Sequence, residues 1–444
     1  MNLKLIKNNV ITGLLLLGIS SFAQQQKWTL KSCIDHALQH NISIKQTENT
    51  LLLNQQDIIA AKGQFLPSVN ASASQGLSLG TSLIAEGIFA NRTSHSSNIG
   101  VNVSQNVFNG FKNIYNYKQS QLNLETNKLE LNRIKDDISL NVVNAYLNVL
   151  FNKENLETAQ AQLNFSKKQL AQVKDLVDAG VQPKANVYDA EATLSRDAQQ
   201  VTIAENNFNL ALLTLSQFLQ VPFQDFDVEV ISIETPSEGL LYNEITPILN
   251  YALENRNEIK IAEKNIESAK LNTKISKSGY LPTVSAGYGF GANAFYSNLV
   301  NNEAAFFDQL NDNKGHSFNL RLAIPIFSKF QNKTAVAKSQ IQEKNSKLRL
   351  DQAKLDLESN IQRAYTDAQA AFKAYDAAKK TLASQELAFN NSKERFNIGV
   401  MTTFDLEQGR VQLINAKSSL INAKYDFVFK TKVLDFYMGK SLTN

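Results

Sequence analysis

The sequence predicts a mainly α-helical chain that carries two β-hairpins built for a membrane barrel. Three observations lead there. The chain is internally duplicated, most of each copy has the pattern of long coiled-coil helices, and four short segments alternate apolar and polar residues with period two.

The duplication is read first because it organises the rest. Ala37-Leu38, Ile44-Lys45, Lys62 and Leu66-Pro67 recur 215 positions later as Ala252-Leu253, Ile259-Lys260, Lys277 and Leu281-Pro282. Further on, Val107-Phe108 and Phe111-Lys112-Asn113 recur 219 positions later as Ile326-Phe327 and Phe330-Gln331-Asn332. The same offset relates Gly180-Val181 to Gly399-Val400 and Leu219 to Met438. One small loop insertion accounts for the change. A unit of about two hundred residues is too long for a solenoid repeat and reads as a gene duplication. The expected organisation is a first repeat over 24–220, a linker over 221–245 holding Pro222 and Pro236, and a second repeat over 246–444.

Seven prolines and eighteen glycines in 444 residues favour long helices, since both residues interrupt them. Trp28 to Phe65 reads as one helical stretch with Thr29 as its N-cap. Lys112 to Asp178 contains neither Pro nor Gly and would extend about 100 Å at 1.5 Å per residue. Its second part keeps a seven-residue rhythm at Leu156, Ala159, Leu163, Ser166, Leu170, Val173 and Val177. Tyr375, Ala378, Leu382, Gln385, Phe389, Ser392 and Phe396 match it in the second repeat. Return helices follow each Gly turn, marked by Val187, Ala190, Leu194, Val201, Ala204, Phe208 and Leu215, and by Phe404, Val411, Ile414, Ile421, Tyr425 and Val428. Sustained heptads with small seam residues imply coiled-coil packing, although an ordinary helical hairpin accounts for the rhythm equally well.

The strands, expected at about 68–80, 97–107, 283–296 and 316–326, separate those readings. Val69, Ala71, Ala73, Leu77 and Leu79 alternate with Ser68, Asn70, Ser72, Ser74 and Ser78. Val101 and Val103 in the second strand and Leu320 and Leu322 in the fourth keep the same parity. Each segment has the length that a tilted membrane strand needs. Soluble sheets also alternate, with a core face and a wet face. Here, however, each hairpin is flanked by very long helices and has little else to pack on. The predicted hairpin loops, Gly80 to Ser97 and Ser297 to Gly315, are rich in Asn, Ser and Gly. Four strands cannot close a barrel with a useful lumen, and open strand edges do not survive in lipid. The strands are therefore expected to pool across subunits, and a trimer would supply twelve.

The N-terminus reads as a secretory signal over 1–23. Lys4 and Lys7 precede the apolar run Val10 to Ile19, and Ser21-Phe22-Ala23 ends in small residues suited to cleavage after Ala23. Cys33 is the single cysteine, so no intrachain disulfide is expected, and it lies too far from the cut to be lipidated. The mature chain has no apolar run near twenty residues. Its formal net charge is only +4, with both signs interleaved, unlike a nucleic-acid footprint. There is no phosphate loop, Cys-His cluster or nucleophile elbow, so neither catalysis nor a cofactor is expected. His36 and His40 sit at i,i+4 beside Asp35, a metal-like spacing. The second repeat carries Tyr251 and Asn255 in their places, and no metal is expected.

Taken in order, these segments resemble the TolC-type outer-membrane efflux proteins from Trp28 to about Gly439. The resemblance rests on Leu66-Pro67 and Leu281-Pro282 before the first and third strands. It rests also on the turns Val107-Phe108-Asn109-Gly110 and Ile326-Phe327-Ser328-Lys329. Most specific are Asp178-Ala179-Gly180-Val181-Gln182-Pro183 and the run from Arg395 to Thr403. The resemblance implies a homotrimer, with a twelve-strand barrel in the outer membrane above a twelve-helix periplasmic tunnel. It implies lipid contact for Val101, Val103, Leu320 and Leu322. The Gly turns (Gly180, Val181, Gln182, Pro183 and Gly399, Val400, Met401, Thr402) would form the periplasmic tip that meets an adaptor (membrane-fusion) protein. That adaptor links to an inner-membrane pump of RND or ABC type.

Family aspartates that line a tip constriction match Asp405. A second such position falls at Gln408, and the corresponding place in the first repeat is Asn186. Any carboxylate ring here is thus less acidic than in members with two. A first-turn carboxylate near a helix N-terminus is the plainer reading of Asp405. The implied function is a passive exit duct for drug efflux, metal efflux or type I secretion. The competing reading is a periplasmic coiled-coil scaffold with small soluble hairpins.

Overall fold

A computed structural model of the chain describes residues 27–229, 242–300 and 303–442. The predicted signal peptide and the middle of the predicted linker lie outside the described residues. The first repeat supplies α1 (Leu30–His40), α2 (Ile42–Gly63), β1 (Ser68–Ala85), β2 (Ile88–Asn109), α3 (Lys112–Asp178) and α4 (Ala185–Leu219). The second supplies α5 (Thr246–Asn255), α6 (Asn257–Lys277), β3 (Thr283–Ser297), the short α7 (Phe306–Asp312), β4 (Gly315–Ala323), α8 (Gln331–Asn397) and α9 (Thr403–Tyr437). A single 3-10 turn, Ser278–Tyr280, precedes β3.

Helices α3 and α8 are both 67 residues long and start and end 219 positions apart, as the repeat offset requires. Thr29 caps α1 as expected, its hydroxyl accepting from the Ser32 amide at 3.0 Å. The expected single helix from Trp28 to Phe65 is broken at Asn41, which takes ψ 130°. Its side-chain oxygen then accepts from the Ser43 amide at 2.9 Å and starts α2. A short polar side chain that bonds its own backbone competes with helix continuation.

The four strands form one antiparallel sheet in the order β1-β2-β3-β4. The first hairpin is longer than the alternation suggested. Pairing continues past Leu79–Thr93 to Ala85–Ile88, so most of the expected loop from Gly80 to Ser97 is ladder. Glu86-Gly87 alone makes the turn, with Gly87 at φ 78°. The β3–β4 connection does leave the sheet and contains α7. Strand β4 stops at Ala323, three residues short of the expected end, because Pro325 has no amide to donate to a ladder. At the strand-to-helix corners, Gly110 has φ 64°, and a Cβ there would approach the Ser278 carbonyl oxygen to 2.7 Å. The Phe-containing turns close as edge-to-face pairs, Phe108 with Phe111 at 5.1 Å and Phe327 with Phe330 at 5.7 Å.

The chain divides into two compact units that cut across the repeats. One comprises 46–133 and 255–356 and holds the sheet; the other comprises the segments up to 45, 134–254 and 357 onward. Pairing of β2 with β3 stitches the repeats together in the first. The second is cored by Cys33, Ile34, Val142, Val143, Tyr146, Val149, Leu215, Leu219 and Phe436. The start of the predicted linker is not free chain. Trp28 bridges Val228 in parallel, and Phe226 and Val228 are buried. Tyr146, 1% exposed, donates its hydroxyl to the Glu229 carbonyl at 2.7 Å. Burial raises that hydroxyl's pKa, so it stays a donor.

Tyr146→Phe leaves the carbonyl without its partner. We expect it to destabilise the helical unit by about 1 kcal/mol, read as a lower thermal midpoint by circular dichroism. An unchanged midpoint would show that the hydrogen bond adds nothing.

Candidate functional site

Two features stand out as candidates for function: the two-faced sheet and the ends of the long helical hairpins. Register fixes the faces, because directly paired residues project to the same side. Val69, Val103, Tyr288 and Phe318 form one row, and Ala71, Val101, Phe290 and His316 the next. Leu320 pairs with Ala286 and Leu322 with Val284. Thus Val101, Val103, Leu320 and Leu322 share one apolar face, and Leu320 is 75% exposed. The opposite face carries the rows Ser68, Ser104, Gly287, Asn319 and Asn70, Asn102, Gly289, Ser317. A contiguous exposed apolar face of this extent is unusual on a soluble monomer and marks a surface that something else covers.

Among the described residues the sheet has two free edges: strand β1 pairs only with β2, and β4 only with β3. Unpaired edges expose rows of amide and carbonyl groups that require partners.

Both helical hairpins turn by the same backbone device. Gly180 at φ 72° and Gly399 at φ 79° follow α3 and α8. The Gly180 amide reaches the Val177 carbonyl at 2.9 Å and the Val181 amide the Leu176 carbonyl at 2.8 Å. Gly399 and Val400 repeat this onto Phe396 and Arg395, each at 3.0 Å. These are Schellman closures, which need a left-handed residue at the glycine. They leave Gly180, Val181, Pro183, Gly399, Val400 and Thr402 exposed and Gln182 and Met401 half-buried. Below the second turn Phe389, Phe396 and Leu406 form a small apolar cluster with Phe165 and Met401.

Asp405 is exposed on the first turn of α9. The Thr402 hydroxyl accepts from the Asp405 amide at 3.1 Å and donates to the Asp405 carboxylate at 2.7 Å. Thr402 is thus the N-cap of α9, and Asp405 is a first-turn carboxylate held by the cap hydroxyl. Asp405 also lines an open cleft of about 690 Å³ with Arg395, Gln408, Gly409 and Gln412.

A buried charge cluster was not foreseen from the sequence. Arg410, whose side chain is 4% exposed, bonds Asp197 at 2.8 Å through Nη1 and Glu407 at 2.7 Å through Nε. The Ser166 hydroxyl donates to the same Asp197 carboxylate. Burial acts to lower the guanidinium pKa, but the hydrogen bonds to Glu407 and Asp197 outweigh it and hold it raised, so the cation is kept. A signal was present: Asp197 occupies the seam position skipped between Leu194 and Val201. The rings of the metal-like pair, His36 and His40, stack at 4.1 Å. Among the described residues no group of three or more metal-binding side chains occurs, nor any helix long and apolar enough to cross a membrane.

The profile of the family described as outer membrane efflux protein matches residues 33–219 and 248–440, one segment in each repeat. The chain belongs to that family. Among its relatives, the outer membrane protein TolC of Vibrio cholerae is 21% identical over 396 residues, covering 86% of this chain and 84% of its own. Protein CyaE of Bordetella pertussis is 22% identical over 397 residues, covering 89% and 79%. The crystal structure of the Vibrio cholerae outer membrane protein VceC superposes with a TM-score of 0.74 at 18% identity, covering 93% of this chain and 96% of that one. Membership makes this protein an outer-membrane exit duct of an efflux or secretion system, with its helical part in the periplasm.

The Arg410–Asp197 pair gives a stability test. Asp197→Leu or Arg410→Met alone strands a buried charge and should cost about 3 kcal/mol. The double replacement Asp197→Leu with Arg410→Met should recover most of that loss in a denaturant-unfolding cycle. Additive losses would mean that the two groups do not act as a pair.

Proposed function

We propose that three copies of the chain close a twelve-strand barrel in the outer membrane, continued by a twelve-helix periplasmic tunnel. The assembly is a passive conduit. It receives cargo from an inner-membrane pump, of RND or ABC type, through a periplasmic adaptor protein. The observation that carries the reading is the sheet itself. Its four strands have one apolar face and two open edges. In hydrocarbon every backbone group needs an internal partner, and only closure satisfies an edge. Pairing β4 of each copy with β1 of the next removes all edges, and twelve strands leave a lumen that four cannot.

On this reading Val101, Val103, Leu320 and Leu322 face lipid, and the Ser, Asn and Gly rows face water inside. The turn residues Gly180, Val181, Gln182, Pro183, Gly399, Val400, Met401 and Thr402 meet the adaptor. Asp405, one copy per chain, forms a ring of three carboxylates that favours cations. The exposed cleft it shares with Gln408 and Gln412 supports this, and its capping bond to Thr402 holds the carboxylate in place.

Leu320→Arg or Val101→Arg places a charge in the bilayer at a cost of about 2–4 kcal/mol near the midplane. We expect the yield of trimer in outer-membrane extracts to fall sharply on semi-native gels. Normal trimer yield from either variant would remove the face assignment, and a water-soluble monomer from the unaltered chain would favour the scaffold reading. Separately, Asp405→Ala should reduce the cation preference of single channels under a salt gradient. An unchanged reversal potential would leave Asp405 with its bond to the cap hydroxyl alone.

A further inference from the structure

The strands carry almost no charge, and what they carry is of one sign. No Asp or Glu occurs in β1, β2, β3 or β4, and their only Lys or Arg residues are Arg92 and Arg321. Both lie on the polar face. Arg92 pairs with Gly80, in register with Ser68 and Asn70 at even positions of β1. Its guanidinium sits over the Phe295 ring at 4.9 Å, and Phe295 pairs with Ser96 on that same face. Arg321 pairs with Ser285, which pairs with Asn106. The two arginines therefore occupy opposite ends of the face. Arg92 is near the hairpin turn and Arg321 two residues from the end of β4. Their rows cross β2 at Arg92 and Asn106, about 45 Å apart along the strand. Between them the face is Ser, Asn and Gly apart from Phe295. Gly100, Gly287, Gly289 and Gly291 remove side chains altogether, and the Asn319 side chain lies across Gly287.

We propose that the arginines form two cationic rings at the ends of the barrel lumen, three copies at each level. They attract anionic groups at the two ends of the barrel segment, opposite in sign to the Asp405 ring proposed at the periplasmic tip, and favour solutes that carry carboxylate, phosphate or sulfate groups over that stretch of the duct. The inference rests on the reading that the polar face borders the lumen. No charged side chain lies between them on this face; outside the strands, Glu86 and Glu303 stand near the Arg92 end, where Glu303 accepts from the Ser297 amide at 2.7 Å, so the Arg321 ring sets the positive end of the field. Rings of Arg are an established way to favour anions in a pore. Arg321 has no acidic residue within its sheet to neutralise it.

The test uses trimers in planar bilayers under a potassium chloride gradient. Arg92→Gln with Arg321→Gln should move the reversal potential toward the potassium equilibrium value and lower the chloride-to-potassium permeability ratio several-fold. Arg321→Lys should keep the original ratio. An unchanged ratio in well-assembled glutamine trimers would overturn the proposal. The underlying face assignment is read separately with Arg321→Cys. The native Cys33 is fully buried, and burial pushes its thiol up to about 12, so it stays silent. Rapid modification of the introduced thiol by a charged, membrane-impermeant reagent, with a change in current, supports a lumen position. No modification in the assembled trimer would refute the lumen reading itself.

Discussion

An unclosed sheet is the constraint on which the rest of this molecule depends. Strands β1 and β4 end the sheet with unpaired backbone, and one face of that sheet is greasy along its length. Water would tolerate the edges and reject the face. Lipid would accept the face and reject the edges. Neither solvent accepts a single copy, so the protomer is an incomplete object by construction. Closure with identical neighbours resolves both demands at once, and it fixes which rows of side chains border water.

The duplication explains how one chain comes to hold such a sheet. Each repeat donates one hairpin and one long helical pair. The register between β2 and β3, one strand from each repeat, aligns Val103 with Tyr288 and Ser104 with Gly287. Had that register slipped by one residue, every side chain of the second hairpin would have changed face. The polar-face glycines of β3 follow from the same alignment. At Gly287 the Asn319 side chain already fills the space that a Cβ would take. The repeats share a backbone plan, while their side chains have been free to diverge.

What the sequence disclosed, and what it hid, divides along the range of the interactions. Period-two alternation assigned the faces correctly, because parity is a local property of extended backbone. The absence of Pro and Gly located both ends of α3, and α8 starts and ends 219 positions further on. The length of the first hairpin was hidden. Thr81, Ser82, Asn91 and Arg92 read as loop residues, yet they pair because Glu86-Gly87 supplies a tight turn beyond them. The break at Asn41 depends on a side chain bonding two residues on, which hydrophobic rhythm does not record. The buried Asp197 was visible only as a gap in a heptad. Its meaning depended on Arg410, 213 residues away in sequence, and no periodicity links the two.

The charges show where divergence of the repeats matters. Asp405 corresponds to Asn186, and Arg321, by the offset that relates Leu320 to Val101, corresponds to Asn102. In both cases the first repeat holds a neutral amide and the second a charge. Asp197 and Arg410 correspond to Ala416 and Glu191, so that ion pair also occurs once per chain. A closed trimer would then have six nearly equivalent hairpins by backbone and only three by charge. Halving the number of like charges around a narrow ring weakens their mutual repulsion. The duplicated backbone thus supplies the geometry of the duct, and on the readings proposed above the loss of side-chain symmetry supplies its selectivity.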